Sequence, residues 1–186
     1  GGKHQILTDH KQMLMEYLAA ELARTGNRFI AASKLEDWLV AFLDADDRWA
    51  PECLARHRDH FAASPRLGVS FARICFHDAA MTRRGRTSAH VPSLDLVTAA
   101  GENPICTTSN LTARRVVFQD AGGFDEGLKH AEDQEWVVRV LANTNWDARG
   151  LDEILVDYLM SANGLSADLD AMRGGWAAMV DRVRAA

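Results

Sequence analysis

The sequence predicts an α/β fold: a mainly parallel sheet flanked by helices, in one domain spanning residues 1–186. Three observations predict it. With 186 residues, 47% of them hydrophobic, the chain can bury a single substantial core, and two comfortable domains would need more. Residues 38–43 form a short, continuous apolar run that ends in acids, the pattern of a strand buried on both faces. Apolar runs of strand length then alternate along the chain with segments of helical period.

Along the chain, Leu14, Leu18 and Leu22 recur every four positions, with Thr8 or Asp9 as a cap and Gly26 as a stop, so the N-terminal segment 1–26 predicts an amphipathic helix. After the strand at 38–43, Pro51 suits the first turn of a helix reaching about Ala63, and Ser64-Pro65-Arg66 stops it before a second strand at 67–76. Residues 78–92, polar and basic with Arg83 to Arg86 at their centre, predict a loop. A short helix at 94–100, a strand at 105–113 and a helix at 115–121 follow, the last broken by Gly122 and Gly123. A helix at 132–142, a strand or two within 146–158 and a helix at 168–184 complete the expectation.

Composition narrows the function. A net charge of −5, with basic residues scattered among acidic ones, offers no positive stripe for a nucleic-acid backbone. Three widely separated cysteines, Cys53, Cys75 and Cys106, show no C-x-x-C spacing, so neither a disulfide framework nor a zinc site is suggested, and a reducing cytoplasm fits best. The longest apolar runs, 38–43 and 154–160, fall far short of the roughly 20 residues that span a bilayer. The first residues lack an initiating Met and a signal pattern, and they read as the start of an internal piece.

The chemistry concentrates at Asp44-Ala45-Asp46-Asp47, directly after the apolar run. In an open α/β sheet, the carboxyl end of a strand is where ligands bind. Three carboxylates so close together repel one another, which calls for full solvation or a cation. A hard divalent ion such as Mg2+ or Mn2+ suits oxygen ligands and needs only one or two carboxylates when substrate phosphates complete its shell. The plain alternative is a solvated acidic turn, with Asp47 near the positive end of the helix that Pro51 begins. A calcium EF-hand loop fails, because its sixth and twelfth positions from Asp44 hold Trp49 and Ala55. A phosphatase with an aspartyl nucleophile is weakened by Arg48 at the fifth position.

The string WLVAFLDADDRWAP (38–51) resembles a segment of family 2 glycosyltransferases. In the same order as that family, TTSNLTARR (107–115), GGFDE (122–126) and HAEDQEWVVR (130–139) follow, and the similarity covers residues 27–166. The resemblance implies a GT-A-like fold and a metal-dependent, inverting transfer of a sugar from a nucleotide-diphosphate sugar, a UDP-sugar foremost, to a hydroxyl of a carbohydrate or lipid-linked acceptor, as in polysaccharide biosynthesis. It places Asp44 with Asp46 or Asp47 on the metal that bridges the donor phosphates, and Asp133 as general base, with Glu132 beside it. In the first turn of a helix, Asp133 is expected to be held ionised by the positive helix end. Glu132 and Asp133 read without the resemblance are ordinary helix N-terminal acids. Two roles are open to Trp136 and Trp49, an acceptor-sugar platform or core. Arg114 and Arg115 face donor phosphates or lie at the surface. His57, His60, His77 and His90 have no ligand spacing tied to a second motif.

The chain departs from the family at two places. The two opening strands that hold the nucleotide base have no counterpart here, and the His that follows the late Tyr in many members is replaced by Ser161 after Tyr158. A sheet without those strands has an uncovered edge and apolar face, to be covered by a partner chain, by self-association, by a missing N-terminal portion or by the Leu14, Leu18 and Leu22 helix. The second function class that follows is a truncated or degenerate GT-A fold serving as a non-catalytic binding or assembly module.

Overall fold

A computed structural model describes residues 38–78, 84–160 and 167–185. The expected N-terminal helix and the stretch 27–34 lie outside the described residues. The strands are β1 (Leu39–Ala41), β2 (Arg48–Trp49), β3 (Leu67–His77), β4 (Arg84–Thr87), β5 (Thr112–Arg114) and β6 (Asp147–Leu159). The helices are α1 (Cys53–Ala63), α2 (Leu96–Gly101), α3 (Arg115–Ala121), α4 (Glu132–Asn143) and α5 (Leu169–Ala185).

The fold is α/β as expected, but the sheet is mixed. Its strands run β1-β5-β3-β6-β2, and among them only β3 and β6 are parallel. The run at 38–43, expected to be buried on both faces, is only half-buried at the end of the strand order, and Leu43 is exposed; an apolar run does not fix the direction of a neighbour. On one edge β3 pairs along its whole length with β6. Its other edge is shared by β5, at Val69 and Ser70, and β4, at Cys75 and His77. The basic segment expected as loop therefore contributes a strand, Arg84–Thr87, where it meets that open edge.

The strand expected at 105–113 is reduced to Thr112–Arg114. A 3-10 turn, Thr108–Asn110, interrupts it, with the Thr107 side chain accepting from the Ser109 N–H. The buried Asn110 amide replaces the missing ladder: it accepts from the Ala72 N–H (2.9 Å) and donates to the carbonyls of Ala72 (2.8 Å) and Ile105 (3.0 Å). A side chain that satisfies backbone groups in this way competes directly with regular strand pairing.

Both faces of β3 are covered. On one, Val69 and Phe71 pack into a core with Trp136, Val137, Val138 and Val140 of α4, Val117 of α3 and Met179 of α5. On the other, Ala72 and Leu155 meet Cys53 of α1. Arg114 joins layers: its guanidinium donates to the carbonyls of Leu67, Phe61 and Ser64 and lies 5.2 Å from the Phe61 ring centroid. A cation at the carbonyl end of α1 complements that helix end. Arg114 is thus a clamp for α1 and β3.

Candidate active site

β1, β3 and β6 point the same way, and the acidic turn follows the carboxyl end of β1. Ser109 anchors that turn: its hydroxyl accepts from the Asp44 N–H (3.0 Å) and its carbonyl from the Trp49 indole N–H (2.8 Å). At the far end of the turn, Asp47 Oδ1 accepts from the Leu159 N–H (3.0 Å), which ties the acids to the end of β6. The three carboxylates then separate in role. Asp44 and Asp46 are exposed, whereas Asp47 is buried. Burial pushes the Asp47 carboxyl above its ordinary value, with the hydrogen bonds from Ser109 and Leu159 offsetting part of the rise and the charges of Asp44 and Asp46 adding to it. Asp47 Oδ2 is buried and has no hydrogen-bond partner among the described residues. Oxygen donors of this kind suit Mg2+ or Mn2+, but among the described residues the ligand atoms of Asp44, Asp46 and Asp47 do not all lie within 4.8 Å of one another.

Asp133 comes to the same rim from the first turn of α4. It is only 8% exposed; the Asn103 amide reaches both its oxygens at 3.4 Å, and the Gln134 N–H donates to Oδ1 at 2.7 Å. Its pKa is raised, first by burial and further by the Asp44 charge, against the lowering from Gln134 and Asn103. Desolvation thus opposes the helix N-terminus, which favours the ionised form. The charge of Asp44, distant in sequence, thereby reaches Asp133.

The backbone around Asp133 is strained at two points. Ala131 (φ 61°) and Cys106 (φ 68°) are the non-glycine residues with positive φ among those described. Both border the carboxylate, Ala131 as the cap of its helix and Cys106 through Asn103, whose Oδ1 accepts the Cys106 N–H. Although Cys106 as a residue is exposed, desolvation of its sulfur and then the Asp133 charge push the thiol up to about 11. Such conformations cost about 1–3 kcal/mol each and gather at functional sites.

The other expected site residues sort differently. Glu132 opens α4 next to Asp133. Trp136 is not an acceptor platform: it is fully buried, stacked on Phe118 at 4.2 Å, with its indole N–H on the Gly122 carbonyl. Arg115 does not reach the acids either. It is exposed, and its N–H bonds to the Trp38 carbonyl at the opposite end of the β1–β5 pair, because β5 runs antiparallel to β1. The string from Gly122 to Arg139 is a scaffold that positions Asp133. Gly122 takes a positive φ of 81°, and Arg139 holds the turn through the carbonyls of Ala121 and Gly123 while forking onto the buried Glu135 carboxylate (2.7 and 2.8 Å). Ser109 and Asn103 are contributors that sequence reasoning missed. Ser109 lay inside a quoted string without a role, and nothing local marks Asn103. A depression of about 730 Å³ lined by Pro65, Arg66, Asp120 and Trp146 lies at the amino ends of β3 and β6, away from these acids.

Among solved structures, the chain is similar to S. aureus TarS 1-349 in complex with UDP-GlcNAc, with 18% identity and a TM-score of 0.54 over 76% of this chain and 42% of that one. The fold is glycosyltransferase-like. Looser overlaps occur with S. aureus TarS 1-349 alone (22% identity, TM-score 0.49, 65% of this chain and 35% of that one) and with S. aureus TarS (20%, 0.49, 67% and 22%). The chain spans less than half the length of each. No family model and no curated protein matches the sequence.

Proposed function

We propose that this chain carries the site of an inverting glycosyl transfer, from a nucleotide-diphosphate sugar to a hydroxyl of a carbohydrate or lipid-linked acceptor, in the manner of family 2 glycosyltransferases. The observation that carries the reading is the buried Asp133 in the first turn of α4, reached by the charge of Asp44 from the acidic turn after β1. Support comes from the ordered motifs around both residues, and the UDP-GlcNAc bound in the TarS complex suggests a uridine diphosphate sugar as donor.

Asp44 and Asp46, exposed and adjacent on one turn, would hold a Mn2+ or Mg2+ ion with Asp47 Oδ2 in reserve, and that ion would neutralise charge on the departing diphosphate. Asp133 accepts the proton of the acceptor hydroxyl, the freed oxygen pair forms the bond to the anomeric carbon, and the bond from that carbon to the diphosphate breaks with its electrons leaving on the nucleoside diphosphate. One base facing one carbon inverts its configuration. Burial suits Asp133 to the task, because a carboxylate with raised proton affinity is a stronger base than one in water. The strain at Ala131 and Cys106 is the cost of aiming it.

The test is release of uridine diphosphate from UDP-sugars with Mn2+ and an added acceptor. Asp133→Asn should lower turnover by about 10²–10⁴-fold, the usual worth of a general base. Turnover unchanged in that variant would remove Asp133 from the role. Donor binding without turnover in the unaltered chain would favour the binding-module reading.

A further inference from the structure

A second cluster of ligand-type side chains lies where β3 and β6 end. The sequence spacing C-x-H at 75–77 places Cys75 and His77 on one face of β3, since alternate residues of a strand share a face. The parallel register sets Asp157 of β6 opposite Cys75 and Leu159 opposite His77. One ligand atom from each of Cys75, His77 and Asp157 falls within 4.8 Å of the others. Four ligands at zinc distances in a tetrahedron stand about 3.3–3.8 Å apart, so small side-chain rotations close this set onto an ion.

Two further features separate the cluster from an ordinary buried hydrogen bond. His77 Nε2 lies 2.7 Å from Asp157 Oδ1, while its other ring nitrogen, Nδ1, is buried without a hydrogen-bond partner among the described residues. A buried polar atom left in this state costs about 1–3 kcal/mol, and a bound ion or a partner to it removes the cost. With Asp157 itself a ligand, the ion enters at His77 Nε2 and the 2.7 Å contact between Nε2 and Oδ1 opens around it. Cys75 is fully buried beside this pair, and Asp157 has a side chain 41% exposed, which gives an ion a way in.

We propose that Cys75, His77 and Asp157 form a zinc-class transition-metal site with its own donor set, beside the acidic turn that Asp47 ties to the end of β6. The donor set decides the class of ion. A thiolate with an imidazole and one carboxylate suits Zn2+, whereas Mg2+ and Mn2+ prefer the all-oxygen acids of the turn. Three protein ligands leave a fourth position for water or a substrate group. Binding releases the Cys75 thiol proton to solvent as the sulfur takes the metal, and the ion ties the ends of β3 and β6 together.

Cobalt substitution reads the site directly. Titrating the metal-stripped full chain with Co2+ should give a thiolate-to-cobalt charge-transfer band saturating at one equivalent, displaced by Zn2+. The band should survive Cys106→Ser and Asp46→Ala, disappear in Cys75→Ser, and weaken in His77→Ala with a loss of affinity of at least about tenfold. No saturable band in the unaltered chain overturns the proposal without reference to any variant's folding. A band that persists in Cys75→Ser or is lost in Cys106→Ser overturns it as well. Because Asp46→Ala is aimed at the acidic turn alone, failure of the glycosyl-transfer reading and failure of this site are distinguishable.

Discussion

The charge of Asp44 reaches Asp133, where it adds to a proton affinity that burial raises first. One follows the first described strand and the other opens α4, and the mixed sheet brings the two to a single rim. In the proposed function, the turn is the ion-binding side of this rim and Asp133 the proton-accepting side.

The proton-accepting side predicts a pH profile. Asp133 must be ionised to act, and its pKa is raised, so activity should fall on the acid side at a pH above the ordinary carboxylate range. The Asn103 amide lowers that pKa by favouring the charged form. Asn103→Ala should therefore move the acid limb of kcat to higher pH, as measured in a pH series at saturating donor. A limb that stays in place would show that Asn103 does not tune Asp133.

Arg139 should matter for stability more than for chemistry. Its removal leaves the nearly buried Glu135 carboxylate unpaired and frees the Gly122 and Gly123 turn. Arg139→Ala should destabilise the fold by about 3 kcal/mol, the usual cost of breaking a buried pair on one side. Urea unfolding measures it. Arg139→Lys should recover part of the loss, since one ammonium cannot reproduce the fork onto Glu135.

His57 predicts acid sensitivity. Its ring is buried with Nδ1 2.8 Å from Ser70 Oγ, and burial, helped by nearby His60, lowers its pKa from 6.5 to about 4. A folded-state value depressed below the unfolded one contributes stability that is full above 6.5 and is lost as pH falls towards 4, because the unfolded chain then binds the extra proton. His60, also lowered by burial, adds in the same direction. His57→Gln should flatten the dependence of the urea midpoint on pH between 7 and about 4.5.

Much of this was legible in the sequence, for identifiable reasons. α1, α3, α4 and β3 fall close to where caps, breakers and apolar runs placed them, since those signals are local. Strand direction was not legible, because it follows from which strands pair, and β5 pairs antiparallel with β1 and β3, both far away in sequence. The acids of the turn and the Glu132 and Asp133 pair were marked by order and spacing. Trp136 and Arg115 each kept two open roles, because an aromatic or cationic residue near a motif does not reveal which side of its element meets the core; Trp136 is core and Arg115 lies at the surface. The grouping of Cys75, His77 and Asp157 depends on the parallel register of β3 and β6, which no local pattern encodes.

The most direct measurement is calorimetric titration of the chain with a UDP-sugar in Mn2+, repeated for Asp46→Ala and Asp133→Asn. The acids of the turn are assigned to the donor and Asp133 to the acceptor proton, so the unaltered chain and Asp133→Asn should bind the donor alike, and Asp46→Ala should lose binding. Absence of metal-dependent binding in the unaltered chain, or equal binding in Asp46→Ala, would contradict the account.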